Sequence, residues 1–175
     1  DAYFYAVISK TMVTSHNWVD LYYAGQDWLD KPHLPFWLTA LSFKLFGVSA
    51  FAYVLPGFIF NLIGALYTYK LAKLFYDETT GLVAALIYVT SLHLMLSAMD
   101  VRAEAYLLGE IMPACYYWLV YDRSSQIKAL LLASLVTGLA LMTKGLFVVI
   151  TIFSGLVASW IYARHYWRII SPKWL

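Results

Sequence analysis

Charged residues are scarce in this sequence. Only 13% of its 175 residues are Asp, Glu, Lys or Arg, whereas a typical soluble domain has about 25%. Hydrophobic residues make up 62% of the chain, and its mean hydropathy is +0.68. So little charge is typical of a chain whose surface faces lipid. The composition therefore predicts an all-α, polytopic helical membrane protein.

The sequence also lacks the signals of several other protein classes. Cys115 is the only cysteine, so no disulfide can form within the chain. No Walker loop and no dinucleotide-binding glycine pattern is present, so nothing indicates a reaction driven by ATP or NAD. A net charge of +2 is too small to indicate a nucleic-acid partner. The four histidines have no metal-ligand spacing, although a site built from His16 or His33 with a carboxylate stays an alternative.

Five apolar runs are long enough to cross a bilayer, which takes roughly 20 residues. They cover residues 49–69, 82–98, 105–121, 127–142 and 146–163, with a charged turn at 99–104 and a three-residue turn at 143–145. A shorter apolar run, 36–46, predicts a surface or re-entrant helix that ends at Gly47. The chain thus divides into an external loop with juxtamembrane helices, residues 1–48, and a bundle of about five spans, residues 49–175.

The first 34 residues form the one long polar segment. Charged side chains alternate there with aromatic rings, as expected of a segment at a membrane surface. A short amphipathic helix, ended by residues 15–17, is predicted because apolar or small side chains recur at helical spacing at Phe4, Val7, Ile8, Thr11 and Met12. Gly25 predicts a turn, and the two prolines of segment 30–35 predict a rigid connector into the next helix.

Lysine and arginine favour the cytoplasmic side of short loops, which gives the spans an orientation. Five spans put seven basic residues on the side away from the polar segment: Lys70, Lys73, Arg123, Lys128, Arg164, Arg168 and Lys173. Five lie on its own side: Lys10, Lys31, Lys44, Arg102 and Lys144. The bias predicts that the polar segment lies outside. Acids and bases then gather at one membrane face: Asp1, Asp30, Lys31, Asp100, Arg102, Glu104 and Lys144.

Charged groups near hydrocarbon are costly, and they are usually functional or paired. Asp100 and Glu104 are four residues apart, so a helix that starts there carries both on one face near its N-terminus. The alternative is a capping turn in which Arg102 neutralises its neighbours. Lys144 is a candidate for binding a phosphate headgroup, and the alternative is an ordinary interfacial lysine. Lys31 is the better phosphate candidate, because Pro32 makes its loop rigid.

Two polar residues lie deeper in the predicted spans. Glu110 lies about two turns inside the third span, where it pairs with a neighbouring helix or belongs to a lipid-binding path; we favour the pairing. Asn61, in the first span, predicts an interhelical hydrogen bond.

The order of short motifs resembles that of the membrane glycosyltransferases with the GT-C fold. The motifs are Asp1-x-Tyr3-x-Tyr5-Ala6, His16-Asn17-Trp18, Asp30-Lys31-Pro32-x-Leu34-x-Phe36-Trp37-Leu38, Leu45-Phe46-Gly47 and Thr143-Lys144-Gly145. The most similar group comprises the bacterial dolichyl-phosphate-mannose–protein mannosyltransferases and aminoarabinose (lipid A) transferases. The resemblance covers the N-terminal part of such an enzyme. It implies a span before Asp1 and further spans after Leu175, so we expect a fragment of a longer chain that is inactive alone.

The resemblance also implies roles for individual residues. Asp1 matches the acid that opens the first external loop and is taken to be catalytic, although Ala2 stands where the family often has a second acid. Glu104, or alternatively Asp100, matches a further acid that orients the acceptor, tunes the pKa of Asp1 or holds a divalent cation. The donor phosphate would be bound by Lys31, Lys144 and Arg102. Supporting roles are expected for Asp30, Tyr5 and His33, the last of which replaces a frequent proline.

The implied reaction moves a sugar from a polyprenyl phosphate to a hydroxyl of lipid A, a glycan or a protein. It would take place at the outer face of the bacterial inner membrane. No cofactor is specified, and a divalent metal is left open. Two alternatives remain: a transporter or flippase subunit, which would not need Asp1 or Lys31, and a scaffold fragment without activity of its own.

Overall fold

The computed structural model describes residues 2–100 and 103–162, and for residues 99, 100, 159 and 160 it describes the backbone only. This part of the chain forms eight helices and one small hairpin. In chain order they are α1 (Ala2–Ser15), β1 (Tyr22–Tyr23), β2 (Gln26–Asp27), α2 (Leu34–Phe46), α3 (Ala50–Phe75), α4 (Glu78–Thr90), α5 (Leu92–Asp100), α6 (Ala103–Ser124), α7 (Ile127–Lys144) and α8 (Phe147–Tyr162). The predicted all-α class is confirmed.

Helix α1 buries one face against α2. Its buried side chains recur at positions 5, 8, 9 and 12, which is the spacing of one helix face. Tyr5, Ile8 and Met12 share an apolar cluster with Leu21, Phe36 and Ala40. The helix ends at Ser15, and His16 follows with a positive φ of 55°. The predicted helix and its end are thus confirmed, and its position at a membrane surface stays a prediction.

The turn predicted at Gly25 belongs to a hairpin. Tyr22 pairs with Asp27 and Tyr23 with Gln26, in antiparallel register. Ala24 and Gly25 connect the strands with φ values of 52° and 80°. Positive φ at both central residues is typical of a type I′ turn, whose twist matches that of the flanking strands. The two short strands were not predicted from the sequence.

Helix α2 ends as predicted and begins at Leu34, two residues before the predicted start. Pro35 lies in its first turn, where no intrahelical N–H donor is needed. Gly47 ends it with φ of 79°, a conformation that glycine adopts easily. Ser49 then caps α3, because its side chain accepts a hydrogen bond from the Ala52 amide at 3.2 Å.

Helix α6 lies between α3 and α7 and contacts both along their length. Its approach to α3 is close at Gly109, where a Cβ would overlap the carbonyl oxygen of Phe60. Small residues of this kind let membrane helices come together. Asn61 donates to the Leu94 carbonyl at 3.3 Å, so its predicted interhelical hydrogen bond is confirmed.

The second predicted span is not one helix. Helices α4 and α5 meet at Ser91 with a bend of 59°. Ser91 has an extended conformation (ψ 115°) and its amide bonds to the Tyr88 carbonyl, which ends α4. The apolar run continues through this point without glycine or proline, so the bend could not be predicted from a helix-breaking residue.

Two described helices, α3 and α7, are long and apolar enough to cross a membrane, and the bent pair α4–α5 would make a third. Helix α7 also extends through Thr143 and Lys144, so the prediction of a three-residue turn at 143–145 is wrong for its first two members. A helical membrane protein is confirmed, and the number of five spans stays a prediction. The prediction of a charged turn at 99–104 is wrong for residues 99 and 100, which belong to α5, and for residues 103 and 104, which belong to α6; residues 101 and 102 lie outside the described residues.

Candidate functional site

An ion pair joins the ends of α6 and α7. The ammonium Nζ of Lys144 lies 2.6 Å from Oε1 of Glu104. Glu104 is in the first turn of α6, and Lys144 is the last residue of α7. Because the two helices run antiparallel, the start of one meets the end of the other. The prediction that these two residues gather at one face is confirmed.

Helix electrostatics favour both members of this pair. The start of a helix carries partial positive charge and its end partial negative charge. Glu104 lies at the favourable end for an acid and Lys144 at the favourable end for a base. The pair is partly exposed, with 43% of the Glu104 side chain and 32% of the Lys144 side chain accessible. An ammonium has three donors, so Lys144 can hold Glu104 and still bind an anion.

Gly145 fixes the direction in which the chain leaves Lys144. Its φ is 78°, and its amide donates to the Leu141 carbonyl at 2.8 Å, which caps α7. The Lys144 ammonium also lies 6.0 Å from the centre of the Phe147 ring in α8. An aromatic face at this distance attracts a cation. The ammonium is therefore held between a carboxylate and a ring.

A second ion pair lies in the loop before α2. Lys31 Nζ is 3.1 Å from Oδ2 of Asp30, and the lysine side chain is 34% accessible. The following residue, Pro32, restricts the loop, as predicted. Neighbouring residues on an exposed loop form a weak pair, so Lys31 can exchange Asp30 for another anion at little cost.

The hydroxyl of Tyr5, a residue of α1, is affected by the negative charge of Glu104 at the start of α6. Its side chain is only 4% exposed, and its ring stacks on Phe36 with centres 4.7 Å apart. Burial, together with the negative charges of Glu104 and Asp30, raises the pKa of the Tyr5 hydroxyl to about 12. The hydroxyl stays neutral at physiological pH.

His33 anchors the external loop. Its Nε2 lies 2.7 Å from the carbonyl oxygen of Val19, and its ring contacts Trp37 with centres 5.6 Å apart. Trp37 in turn donates from Nε1 to the Trp18 carbonyl at 2.7 Å. Both contacts tie segment 18–19 to the start of α2, beside Asp30 and Lys31. This geometry suits a supporting residue, and the role itself stays a prediction.

Two buried polar contacts lie beneath the ion pair, and the first was not predicted from the sequence. Thr39 of α2 and Tyr106 of α6 share a hydrogen bond of 3.1 Å between their hydroxyls. Thr143 donates to Oε1 of Glu110 at 2.8 Å, so the predicted pairing of Glu110 with a neighbouring helix is confirmed. The first contact places α2, and with it the Asp30–Lys31 loop, against the same end of α6.

Three predicted site residues lie wholly or partly outside the described residues. These are Asp1, Arg102 and the side chain of Asp100. Within residues 2–100 and 103–162, no three His, Cys, Asp or Glu side chains are grouped as a metal site would require. The described part of the site therefore comprises two lysines, two carboxylates and a buried tyrosine. Such a set can bind a phosphate and orient a hydroxyl group.

The fold matches that of a protein of known structure. The chain is similar to the crystal structure of ArnT from Cupriavidus metallidurans in the apo state, with a TM-score of 0.87 over 96% of this chain and 33% of that chain. The same protein bound to undecaprenyl phosphate matches with a TM-score of 0.80, over 94% and 32% of the two chains. Sequence identity is 21% in both comparisons.

Several curated relatives share one enzyme name. The undecaprenyl phosphate-alpha-4-amino-4-deoxy-L-arabinose arabinosyl transferase of Erwinia tasmaniensis is 28% identical, over 93% of this chain and 30% of its own length. The second enzyme of that name from Sodalis glossinidius is 31% identical, over 94% and 30%. The chain thus spans about a third of the length of these relatives.

The family model described as dolichyl-phosphate-mannose-protein mannosyltransferase matches residues 30–175. The match begins at Asp30 and includes Lys31, Glu104 and Lys144, the two ion pairs described above. It covers most of the chain, and the fold agrees with it. The chain belongs to the dolichyl-phosphate-mannose-protein mannosyltransferase family of membrane glycosyltransferases.

Proposed function

We propose that the protein containing this chain transfers a sugar from a polyprenyl phosphate to a hydroxyl acceptor. The observation that carries the proposal is the Lys144–Glu104 pair at 2.6 Å, in the part of the chain that the family model matches. The relatives' names specify an undecaprenyl phosphate donor. We place the reaction at the outer face of the bacterial inner membrane, with lipid A, a glycan or a protein as acceptor.

The leaving group sets the main electrostatic demand. When the bond between the sugar and the phosphate breaks, negative charge develops on the lipid phosphate. Fixed cations lower the energy of that state more than a general acid would, because the phosphate leaves as an anion. Lys144 and Lys31 are the described candidates, and Arg102 is a third. The Glu104 carboxylate holds Lys144 in place before the donor arrives.

The acceptor needs a base. A carboxylate about 2.6–3.2 Å from the acceptor hydroxyl can take its proton as the new bond forms. We assign this role to Asp1, which the resemblance matches to the first acid of the external loop. Glu104 or Asp100 would orient the acceptor, tune Asp1 or hold a divalent cation. Attack opposite the leaving phosphate would invert the anomeric centre.

A transporter or flippase subunit is the alternative function. Transporters of that kind use broken helices in paired halves. Among the described residues one bent pair occurs, α4 with α5. Membership in a glycosyltransferase family favours transfer over transport.

Lys31→Ala in the full-length protein should raise the KM for the donor about tenfold and leave the acceptor KM within about twofold. The expected size is that of one charge-assisted hydrogen bond to phosphate. Steady-state transfer assays with each substrate varied in turn measure both constants. Lys10→Ala is the matched control, because Lys10 is an exposed lysine of α1 in the same segment. Equal changes in both KM values would argue against a phosphate role for Lys31.

A further inference from the structure

Below the ion pair, α6 and α7 are joined by a second contact that the proposed reaction does not use. The Thr143 hydroxyl donates to Oε1 of Glu110 at 2.8 Å, and both side chains are buried, with 0% and 1% exposed. Oε2 of Glu110 has no hydrogen-bond partner in the described part of the chain. A buried carboxyl group with one unsatisfied oxygen is costly for stability. Helix packing alone therefore explains this residue poorly.

We propose that Glu110 and Thr143 are positioning residues that hold Lys144 in the geometry needed to bind the donor phosphate. The inference rests on the proposed function, since it concerns the same cation. Thr143 is the residue directly before Lys144, in the last turn of α7. A bond that fixes the Thr143 side chain fixes the rotation of this turn. The direction in which the Lys144 side chain leaves the helix is then fixed as well.

The two contacts between α6 and α7 lie at different heights along α6. Glu104 and Glu110 are six residues apart on α6, which corresponds to about 9 Å along the helix axis. Their partners, Lys144 and Thr143, are adjacent at the end of α7. A single contact would leave the end of α7 free to twist about it. Two contacts at separate levels prevent that motion.

Two acceptors lie within hydrogen-bonding distance of the Thr143 hydroxyl. Within α7 it lies 3.2 Å from the Leu139 carbonyl, a longer distance than the 2.8 Å to Glu110. The shorter bond is the one between the helices. Removing the hydroxyl therefore costs α7 its buried link to Glu110 while the helix keeps its backbone hydrogen bonds.

The chain provides a matched control on the same two helices. Thr137 of α7 is also buried, and its hydroxyl accepts a hydrogen bond from Trp118 Nε1 of α6 at 3.0 Å. Thr137 lies six residues before Thr143, away from Lys144. Thr137→Val and Thr143→Val remove the same group from the same interface. If the Glu110 contact only stabilises the helix pair, the two variants will behave alike.

The test is the affinity of the purified full-length protein for undecaprenyl phosphate in detergent micelles. Thr143→Val should weaken binding about three- to tenfold, the effect of one lost hydrogen bond, and Thr137→Val should stay within about twofold. Thr143→Ser, which keeps the hydroxyl, should bind as the parent does. Glu110→Leu should follow Thr143→Val, and Glu110→Gln, whose amide oxygen still accepts the bond, should follow the parent.

A double variant separates positioning from general stability. In a Lys144→Met background, Thr143→Val should have no further effect on affinity, because the residue that it positions is already gone. Equal losses for Thr143→Val and Thr137→Val, or an undiminished loss in that background, would overturn the proposal. If Lys144→Met binds more weakly and Thr143→Val binds as the parent does, the positioning role alone is refuted. Parent-like binding by Lys144→Met would refute the phosphate role and the positioning role together.

Discussion

Asp1→Asn in the full-length protein is expected to reduce sugar transfer by about 10²- to 10⁴-fold, the usual contribution of a general base. The substitution keeps the size and shape of the side chain, replaces one acceptor oxygen by an NH2 donor and removes its ability to take a proton at neutral pH. Binding of the lipid phosphate should be largely unchanged, because that step depends on the lysines. The loss should therefore appear in kcat, with little change in the donor KM.

A radiolabelled or mass-spectrometric transfer assay measures this effect, with expression level and undecaprenyl phosphate affinity recorded for each variant. Asp27→Asn is the matched control. Asp27 is an exposed acid of β2 in the same external segment, and it lies outside the proposed site. It should retain transfer within about twofold. Full transfer by the Asp1→Asn protein would remove the proposed mechanism.

Lys144→Met is expected to lower kcat/KM about 100- to 1000-fold, as the loss of one group that stabilises developing negative charge typically does. Methionine keeps an apolar side chain of similar length beside the Phe147 ring, so the packing at the end of α7 is preserved. The Glu104 carboxylate loses its partner at 2.6 Å but remains 43% exposed and can be hydrated. The effect should therefore reflect the missing charge rather than unfolding.

Lys128→Met is the control for this variant. Lys128 is exposed and lies in the first turn of the same helix, at the opposite end from Lys144. Thermal melting of both variants in detergent, beside the transfer assay, compares stability with activity. We expect similar melting temperatures and a loss of transfer in Lys144→Met only. Equal transfer rates for the two variants would show that Lys144 is an ordinary interfacial lysine.

Local signals in the sequence were sufficient to predict the two helices of the N-terminal segment. The apolar stripe of α1, Pro35 at the start of α2 and Gly47 at its end all act within a few residues of the structure they determine. The turn of the hairpin at 22–27 was predicted, but its strands were not, because each strand has only two residues. Strands this short have no measurable alternation.

The errors in the spans have a different cause. Hydropathy measures how apolar a segment is and contains no information about a bend within it. The break at Ser91 lies between two equally apolar stretches, so the run from 82 to 98 was predicted as one span. Likewise, Thr143 and Lys144 are polar and were assigned to a turn, although α7 includes both. A helix that reaches the membrane surface continues with polar residues.

For the candidate site, the sequence could identify residues but not their partners. The predicted orientation of the spans was the only basis for expecting Glu104 and Lys144 at the same membrane face. Their direct contact depends on the packing of α6 against α7, across 40 positions of sequence. The same packing brings Glu110 to Thr143. The bond between Thr39 and Tyr106 spans 67 positions and involves two residues without a motif. The roles of these residues stay predictions.

The central claim is that Lys31, in the loop before α2, and Lys144, at the end of α7, bind the phosphate of the same lipid-linked sugar. Cryo-electron microscopy of the full-length protein with undecaprenyl phosphate in a lipid nanodisc tests it directly. The account predicts phosphate oxygens within about 3.2 Å of the Lys144 ammonium, with Lys31 on the same side of the phosphate. A phosphate bound at the opposite membrane face, beside Lys73 and Arg123, would contradict it.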